Sequence, residues 1–236
     1  MNNEAMISII VPAYQHGNSI KECLDALYAQ TYDDFEVIVV NDGSTDHTAA
    51  ILQAYEHPVR IIYQENSGAN IARNRGFREA QGKYLLFCDA DVVANPEMLI
   101  KMKTALDNDQ KAAYSYCDFM WGIKAFKLFP FSSDELRNKN YIHTTSLIRK
   151  IYFTGFDESI KRLQDWDLWL TMMEAGHTGT HIPETLFTVK PRKSGMSGWL
   201  PSLVYKIPWQ KIGIKIKRLE SFRIAEEVIK KKHSLF

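Results

Sequence analysis

Short apolar runs alternate with segments of helical periodicity along the first half of the chain. Residues 7–11, Ile-Ser-Ile-Ile-Val, predict a buried strand that stops at Pro12. Ser19 and Glu22 stand at capping-box spacing, and Leu24 and Leu27 follow on one helical face, so a helix is predicted from Ser19. Residues 35–40 predict a second strand, closed by Asn41-Asp42-Gly43-Ser44; a helix follows Asp46, and residues 59–63 predict a third strand. Asn70 is the expected cap of a helix over 71–80, residues 84–88 predict a fourth strand, and Asn95-Pro96 predicts a helix with proline at its first position.

Strands of near-continuous apolar residues separated by helices indicate an α/β fold: a mainly parallel sheet covered on both faces. Open sheets of this kind take ligands at the carboxyl ends of their strands. The segments just past those ends are Pro12-Ala13-Tyr14, Asn41-Asp42 and Asp89-Ala90-Asp91, and all three are expected along one rim.

The second half is less regular. Residues 112–119 predict a strand, and 121–130 are aromatic and basic, the pattern of a loop or surface element. Trp166, Trp169, Leu170 and Met173 recur at helical spacing with Asp165 in the first turn. Neither an internal repeat nor a low-complexity linker interrupts the chain, which favours one domain. From residue 206 to 236 the composition shifts to nine Lys/Arg against three Glu, interleaved with Ile, Leu and Phe. Such a stretch fits an anionic membrane surface and equally a helix packed on the domain with its charges in solvent.

Composition narrows the classes. At 236 residues, 45% hydrophobic and 12% aromatic, the chain can bury a core without metals or disulfides. A net charge of +1 argues against a surface devoted to nucleic acid. Cys23, Cys88 and Cys117 form no paired spacing and read as thiols of a reducing compartment. With no basic-then-apolar leader and no apolar run near ~18 residues, the expected compartment is the cytoplasm, with the inner face of the membrane as the place where the basic tail would act.

Three segments carry candidate chemistry. In an extended chain Asp89 and Asp91 project to one side, and two carboxylates so placed suit a divalent cation, Mg²⁺ or Mn²⁺, shared with substrate phosphates. In Asn41-Asp42-Gly43-Ser44-Thr45-Asp46 the Asp42 carboxylate can accept two N–H bonds from a planar base, while Asp46 serves as helix cap. The stretch Ser67-Gly68 to Gly76 opens a helix with Arg73 in its first turn, an arrangement that favours an anion.

Together these segments resemble the family 2 glycosyltransferases of GT-A fold. The resemblance rests on Ser8 to Tyr14, Val39 to Asp46, Ser67-Gly68 to Gly76, Asp89-Ala90-Asp91, Gly155-Phe156-Asp157-Glu158 and Gln164 to Trp169, in that order over residues 6–195. It implies a Rossmann-like, mainly parallel sheet flanked by helices. A nucleotide-binding half (about 6–110) and an acceptor-side half (about 111–200) would form one domain (1–200), with 201–236 as a basic amphipathic tail. It also implies a nucleotide diphosphate sugar donor, UDP- or dTDP-linked, a divalent metal, and inverting transfer to a glycan or lipid-linked acceptor in cell-surface polysaccharide or glycoconjugate synthesis.

Carried over by position, the resemblance places Pro12, Ala13, Tyr14 and Asp42 around the nucleoside, Arg73 near the phosphates, Asp89 toward the ribose or donor and the metal, and Asp91 on the metal. Asp165 would be the catalytic base, though a helix N-terminal acid stabilised by the dipole reads the same way in sequence. Trp166 is the expected acceptor platform, with Trp121, Tyr141 and His143 as further groove residues; Trp169 reads as core. Two departures stand out. Gln164 replaces the acid that often precedes the base, and 189–195 lack a histidine, leaving Lys190, Arg192 or Lys193 as candidates to neutralise the diphosphate. The processive synthases' Gln-x-x-Arg-Trp motif is absent, which points to single additions. A nucleotidyltransferase would carry a glycine-rich basic loop after the first strand, where this chain has Pro12-Ala13-Tyr14-Gln15-His16. A non-catalytic nucleotide-sugar-binding protein has no need of Asp89, Asp91 and Asp165 together.

Overall fold

A computed structural model describes residues 6–191 and 217–235. The strands are β1 (Ile7–Ala13), β2 (Phe35–Asp42), β3 (Arg60–Gln64), β4 (Tyr84–Phe87), β5 (Val92–Ala94), β6 (Ala112–Trp121), β7 (Lys124–Phe126), β8 (Leu147–Arg149) and β9 (Thr178–Val189). The helices are α1 (Ile20–Tyr28), α2 (Thr48–Gln53), α3 (Ala69–Glu79), α4 (Met98–Asn108), α5 (Ser133–Asn138), α6 (Gln164–Glu174) and α7 (Lys217–Lys232). They build one sheet in the order β3-β2-β1-β4-β8-β6-β9-β5, with β7 hairpinned onto β6. The β3-β2-β1-β4 half is parallel, as the apolar runs predict; β8 enters antiparallel to β4 and to β6, and β9 runs parallel to β6.

Alternation along the strands supplies two cores. Ile7, Ile9 and Val11 pack on one side with α1 and α4, while Ile10, Ile38, Val40 and Phe87 pack on the other with α3 and α6. β1 continues through Pro12 to Ala13. Ile10 turns its carbonyl to β4, accepting from Cys88 N at 2.9 Å, and Pro12 faces the same side where β4 has ended. Its missing N–H therefore breaks no ladder bond.

Several local expectations shift for identifiable reasons. Ser19 precedes α1 without capping it, because its hydroxyl shares a 2.9 Å hydrogen bond with His16 Nδ1. Asp46 does bind the start of α2, accepting from Thr48 N at 3.0 Å, and also holds Gly17 N at 3.0 Å. Asn70 lies inside α3, not at its cap, and donates to the carbonyls of Asp157 and Ile160 at 2.7 and 3.2 Å. α4 starts two residues after Pro96. Trp121 ends β6, and the segment after it forms a β-hairpin.

Of the basic tail, residues 206–216 lie outside the described residues. α7 packs on the domain through Leu219 and Ile229, while Ile224 is 62% exposed. Its end is fastened by charge. Lys232 reaches Asp157 at 2.8 Å and Asp167 at 2.7 Å, and the two His233 ring nitrogens stand 2.9 Å from Asp167 and Glu174. Among the described residues no helix is long and apolar enough to cross a membrane.

Both His233 nitrogens donate only when the ring is charged. Burial acts to lower its pKa, but the bonds to Asp167 and Glu174 outweigh burial and raise it above the ordinary histidine value. A raised folded pKa gives stability that is complete below the unfolded value and lost as pH rises through the folded one. Urea unfolding of the wild type and His233→Gln is expected to show the wild-type advantage largest below about pH 6.5, shrinking as the pH rises above it.

Candidate active site

The carboxyl ends of β1, β2 and β4 do form one rim. Its loops are braced internally. Gln15, held at φ 57°, accepts from Thr45 N at 3.1 Å and Asp46 N at 3.0 Å, tying the β1–α1 turn to the β2–α2 turn. Asp42 is 3% exposed, and its carboxylate accepts from Ser67 N and Gly68 N at 2.8 Å each and from Gln64 Nε2 at 2.7 Å. The expectation that both its oxygens are open to a base is corrected: three internal donors occupy most of their capacity, and Asp42 fixes the β3–α3 loop. Gly68, at φ 101°, supplies the turn that brings those two N–H groups round. Tyr14 is exposed just past β1, whereas the Ala13 side chain is buried in the core, leaving its backbone as the part that can meet a ligand.

Arg73 is the hub. It is 5% exposed on α3, and its Nη2 donates to Asp89 Oδ1 at 2.7 Å. Nη1 donates to Asn70 Oδ1 at 3.2 Å and to Gln164 Oε1 at 3.3 Å, and the guanidinium lies 5.3 Å from the centre of the Phe156 ring. Gln164 opens α6 and adjoins Asp165. An amide at that position accepts from Arg73 without a charge, so the guanidinium remains matched to Asp89. Burial acts to raise the Asp89 carboxyl, but its surroundings, Arg73 foremost, together outweigh burial and hold the group below its ordinary value.

A cavity of about 470 Å³ opens beside this hub, lined among others by Arg73, Asp89, Trp121, His143 and Asp165. The two carboxylates expected on the donor and acceptor sides thus share one cleft. Leu163, immediately before α6, takes the left-handed conformation (φ 58°, ψ 37°), an uncommon one for a bulky residue, at the turn that presents Gln164 and Asp165. Pro12, Ala13, Tyr14, Asp42 and Asp91 do not line this cavity. Trp166 does not either. It is 2% exposed, and its Nε1 donates to Leu136 O at 2.6 Å, so the expected acceptor platform is a core residue anchoring α6 to α5.

Asp89 and Asp91 are the carboxylates that the sequence puts forward for a cation, and among the described residues no group of three His, Cys, Asp or Glu gathers for a metal. That set fits an ion completed by ligand oxygens, as Mg²⁺ with phosphates is, and does not fit an all-protein metal centre. The backbone of Asp91 is pinned by Lys190 N, which donates to its carbonyl at 2.8 Å. Lys190 Nζ pairs with Glu22; Arg192 and Lys193 lie outside the described residues.

His143 is better placed than its sequence context indicated. Rings of Phe126, Phe119 and Phe187 stack across β7, β6 and β9 at 4.8 and 5.3 Å, and His143 sits 5.1 Å from both Phe119 and Phe187. Burial lowers its pKa, against the raising effect of Asp89 and Asp165.

The family model for glycosyl transferase family 2 matches residues 8–156, more than half of the chain. The chain belongs to that family. Relatives include the glycosyltransferases YibD of Escherichia coli, 40% identical over 58% of this chain and 41% of its own length, and RP339 of Rickettsia prowazekii, 35% identical over 70% and 57%. The chain therefore spans about half the length of these relatives. Solved structures with the same fold are S. aureus TarS 1–349 in complex with UDP-GlcNAc (TM-score 0.67, 21% identity, 97% of this chain and 72% of that one) and the mannosyltransferase PcManGT from Pyrobaculum calidifontis in complex with GDP-Man and Mn²⁺ (0.65, 21%, 82% and 59%). The family 2 chain thus has the GT-A fold that its motifs imply.

Proposed function

We propose that this chain is an inverting glycosyltransferase that moves one sugar from a nucleotide diphosphate sugar, UDP- or dTDP-linked, to a hydroxyl of a glycan or lipid-linked acceptor. The observation that carries the reading is the Arg73 bridge: it bonds Asp89 on one side and Gln164, the neighbour of Asp165, on the other, so both carboxylates face one cavity. Sugar donors bound to structural neighbours support the donor class.

In this reading the nucleoside lies along the ends of β1 and β2, against Tyr14 and the backbone of Pro12 and Ala13, in a pocket whose wall Asp42 shapes by holding Ser67 and Gly68. Arg73 keeps Asp89 ionised and oriented toward the donor. Asp89 and Asp91 would hold a divalent cation, which when bound neutralises charge on the leaving diphosphate. Asp165, on the far wall, accepts the proton of the attacking hydroxyl. A carboxylate ionised at neutral pH serves as such a base when it lies within hydrogen-bond reach of the nucleophile.

A thermal-shift panel of nucleotide sugars with and without Mn²⁺ tests the reading. One nucleoside diphosphate family is expected to raise the melting temperature, and to raise it further with Mn²⁺. Asp91→Asn is expected to remove the metal-dependent part and keep the rest. Absence of any shift across UDP-, dTDP- and GDP-sugars would contradict the donor assignment.

A further inference from the structure

His143 is built into the wall of the cleft more firmly than a solvent-facing groove residue needs to be. Its carbonyl accepts from Ser146 Oγ at 2.8 Å, and the preceding carbonyl, Ile142 O, accepts from Trp169 Nε1 at 2.9 Å. Trp169 belongs to α6, the helix that carries Asp165. The ring is backed by Phe119 and Phe187. Thr145 N donates to His143 Nδ1 at 3.0 Å, so Nδ1 is the acceptor nitrogen and the proton of the neutral ring is on Nε2. Among the described residues Nε2 has no hydrogen-bond partner, and the residue lines the cavity with Asp89 and Asp165. A fixed N–H donor therefore stands in a cleft whose two carboxylates can only accept.

Strand order says what it meets. β4 and β8 pair antiparallel with Leu86 opposite Leu147, and the segments that adjoin them at the rim carry Asp89 and His143, which line the same cavity. Along the rim the order is β2, β1, β4, then β8 and β6. A donor whose nucleoside lies at β1 and β2 and whose diphosphate lies at Asp89 would extend its sugar toward β8, to His143.

Building on the proposed donor chemistry, we propose that His143 Nε2–H donates to a hydroxyl oxygen of the transferred sugar and so orients the anomeric carbon toward Asp165. The ring touches substrate as a neutral donor and takes no proton during transfer. A side chain without that N–H should bind the bare nucleoside diphosphate as before and the sugar nucleotide less well. Phenylalanine keeps the ring stack while removing the donor, and glutamine restores an N–H donor of similar reach.

The test uses the full chain and, as probes, the nucleotide sugar that the wild type binds most tightly and the matching nucleoside diphosphate, titrated calorimetrically. His143→Phe is expected to weaken the nucleotide sugar by roughly five- to tenfold, the scale of one neutral hydrogen bond, and to change the nucleoside diphosphate less than about twofold. His143→Gln is expected to recover part of the loss, which a merely structural role would not produce. Equal weakening of both probes, no weakening of either, or unchanged donor affinity with a raised acceptor KM would overturn the assignment to the sugar. A wild-type chain that binds no nucleotide sugar would instead overturn the donor reading itself, and this proposal with it.

Discussion

Replacing Asp165 by asparagine is expected to lower transfer by about 10²- to 10⁴-fold, the usual contribution of a positioned base, while the affinity for the nucleotide sugar stays within about twofold. Asparagine has the shape of aspartate and can still accept from Trp166 N, which lies 3.0 Å from Asp165 Oδ1, so α6 should begin as before. What it loses is the capacity to take a proton from the incoming hydroxyl. Single-turnover transfer and donor titration of the same variant separate the two effects. Wild-type turnover in Asp165→Asn would leave the carboxylate as a helix-terminal acid and nothing more.

Arg73→Met is expected to be the most destabilising change in the cleft, costing on the order of 3 kcal/mol in urea unfolding, as removal of one partner from a buried ion pair does. The methionine would leave Asp89 half-buried without its cation, and would drop the bonds to Asn70 and Gln164 that join α3 to α6. The double variant Arg73→Met with Asp89→Asn is expected to be less destabilised than Arg73→Met alone, since no uncompensated charge remains. A double variant as unstable as the sum of the two single changes would mean that Arg73 and Asp89 act independently, against the 2.7 Å contact.

Three strands of the parallel half, β1, β2 and β4, were legible because their runs at residues 7–11, 35–40 and 84–88 are largely buried on both faces and have no other use in a chain of this composition. Asp89 and Asp165 were legible as motif residues, but their meeting was not. It depends on Arg73 reaching Gln164 across the fold, and no local pattern encodes a contact at that separation. Asn70 shows the same limit: its amide serves Asp157 and Ile160, partners that a capping rule reading neighbours alone cannot see. Trp166 was misplaced for a different reason. Its spacing with Trp169 already put both on the buried face of α6, and its nearness in sequence to Asp165 outweighed that signal. His143 was visible only as one aromatic among several. What distinguishes it is the neighbouring Thr145 N–H on Nδ1, a contact that only the folded turn makes, and the rings behind it from β6 and β9, strands far from it in the chain.

A nucleoside diphosphate and its cation are expected at the end of β4, in the cleft that Asp165 faces from the other wall. Paramagnetic broadening of assigned backbone amide signals by Mn²⁺, with the nucleoside diphosphate bound, tests this most directly. The expected order of signal loss is Asp89 and Asp91 first, then His143 and Asp165, with Tyr84 at the opposite end of β4 losing least. Broadening centred on another face, with Asp89 and Asp165 left sharp, would contradict it.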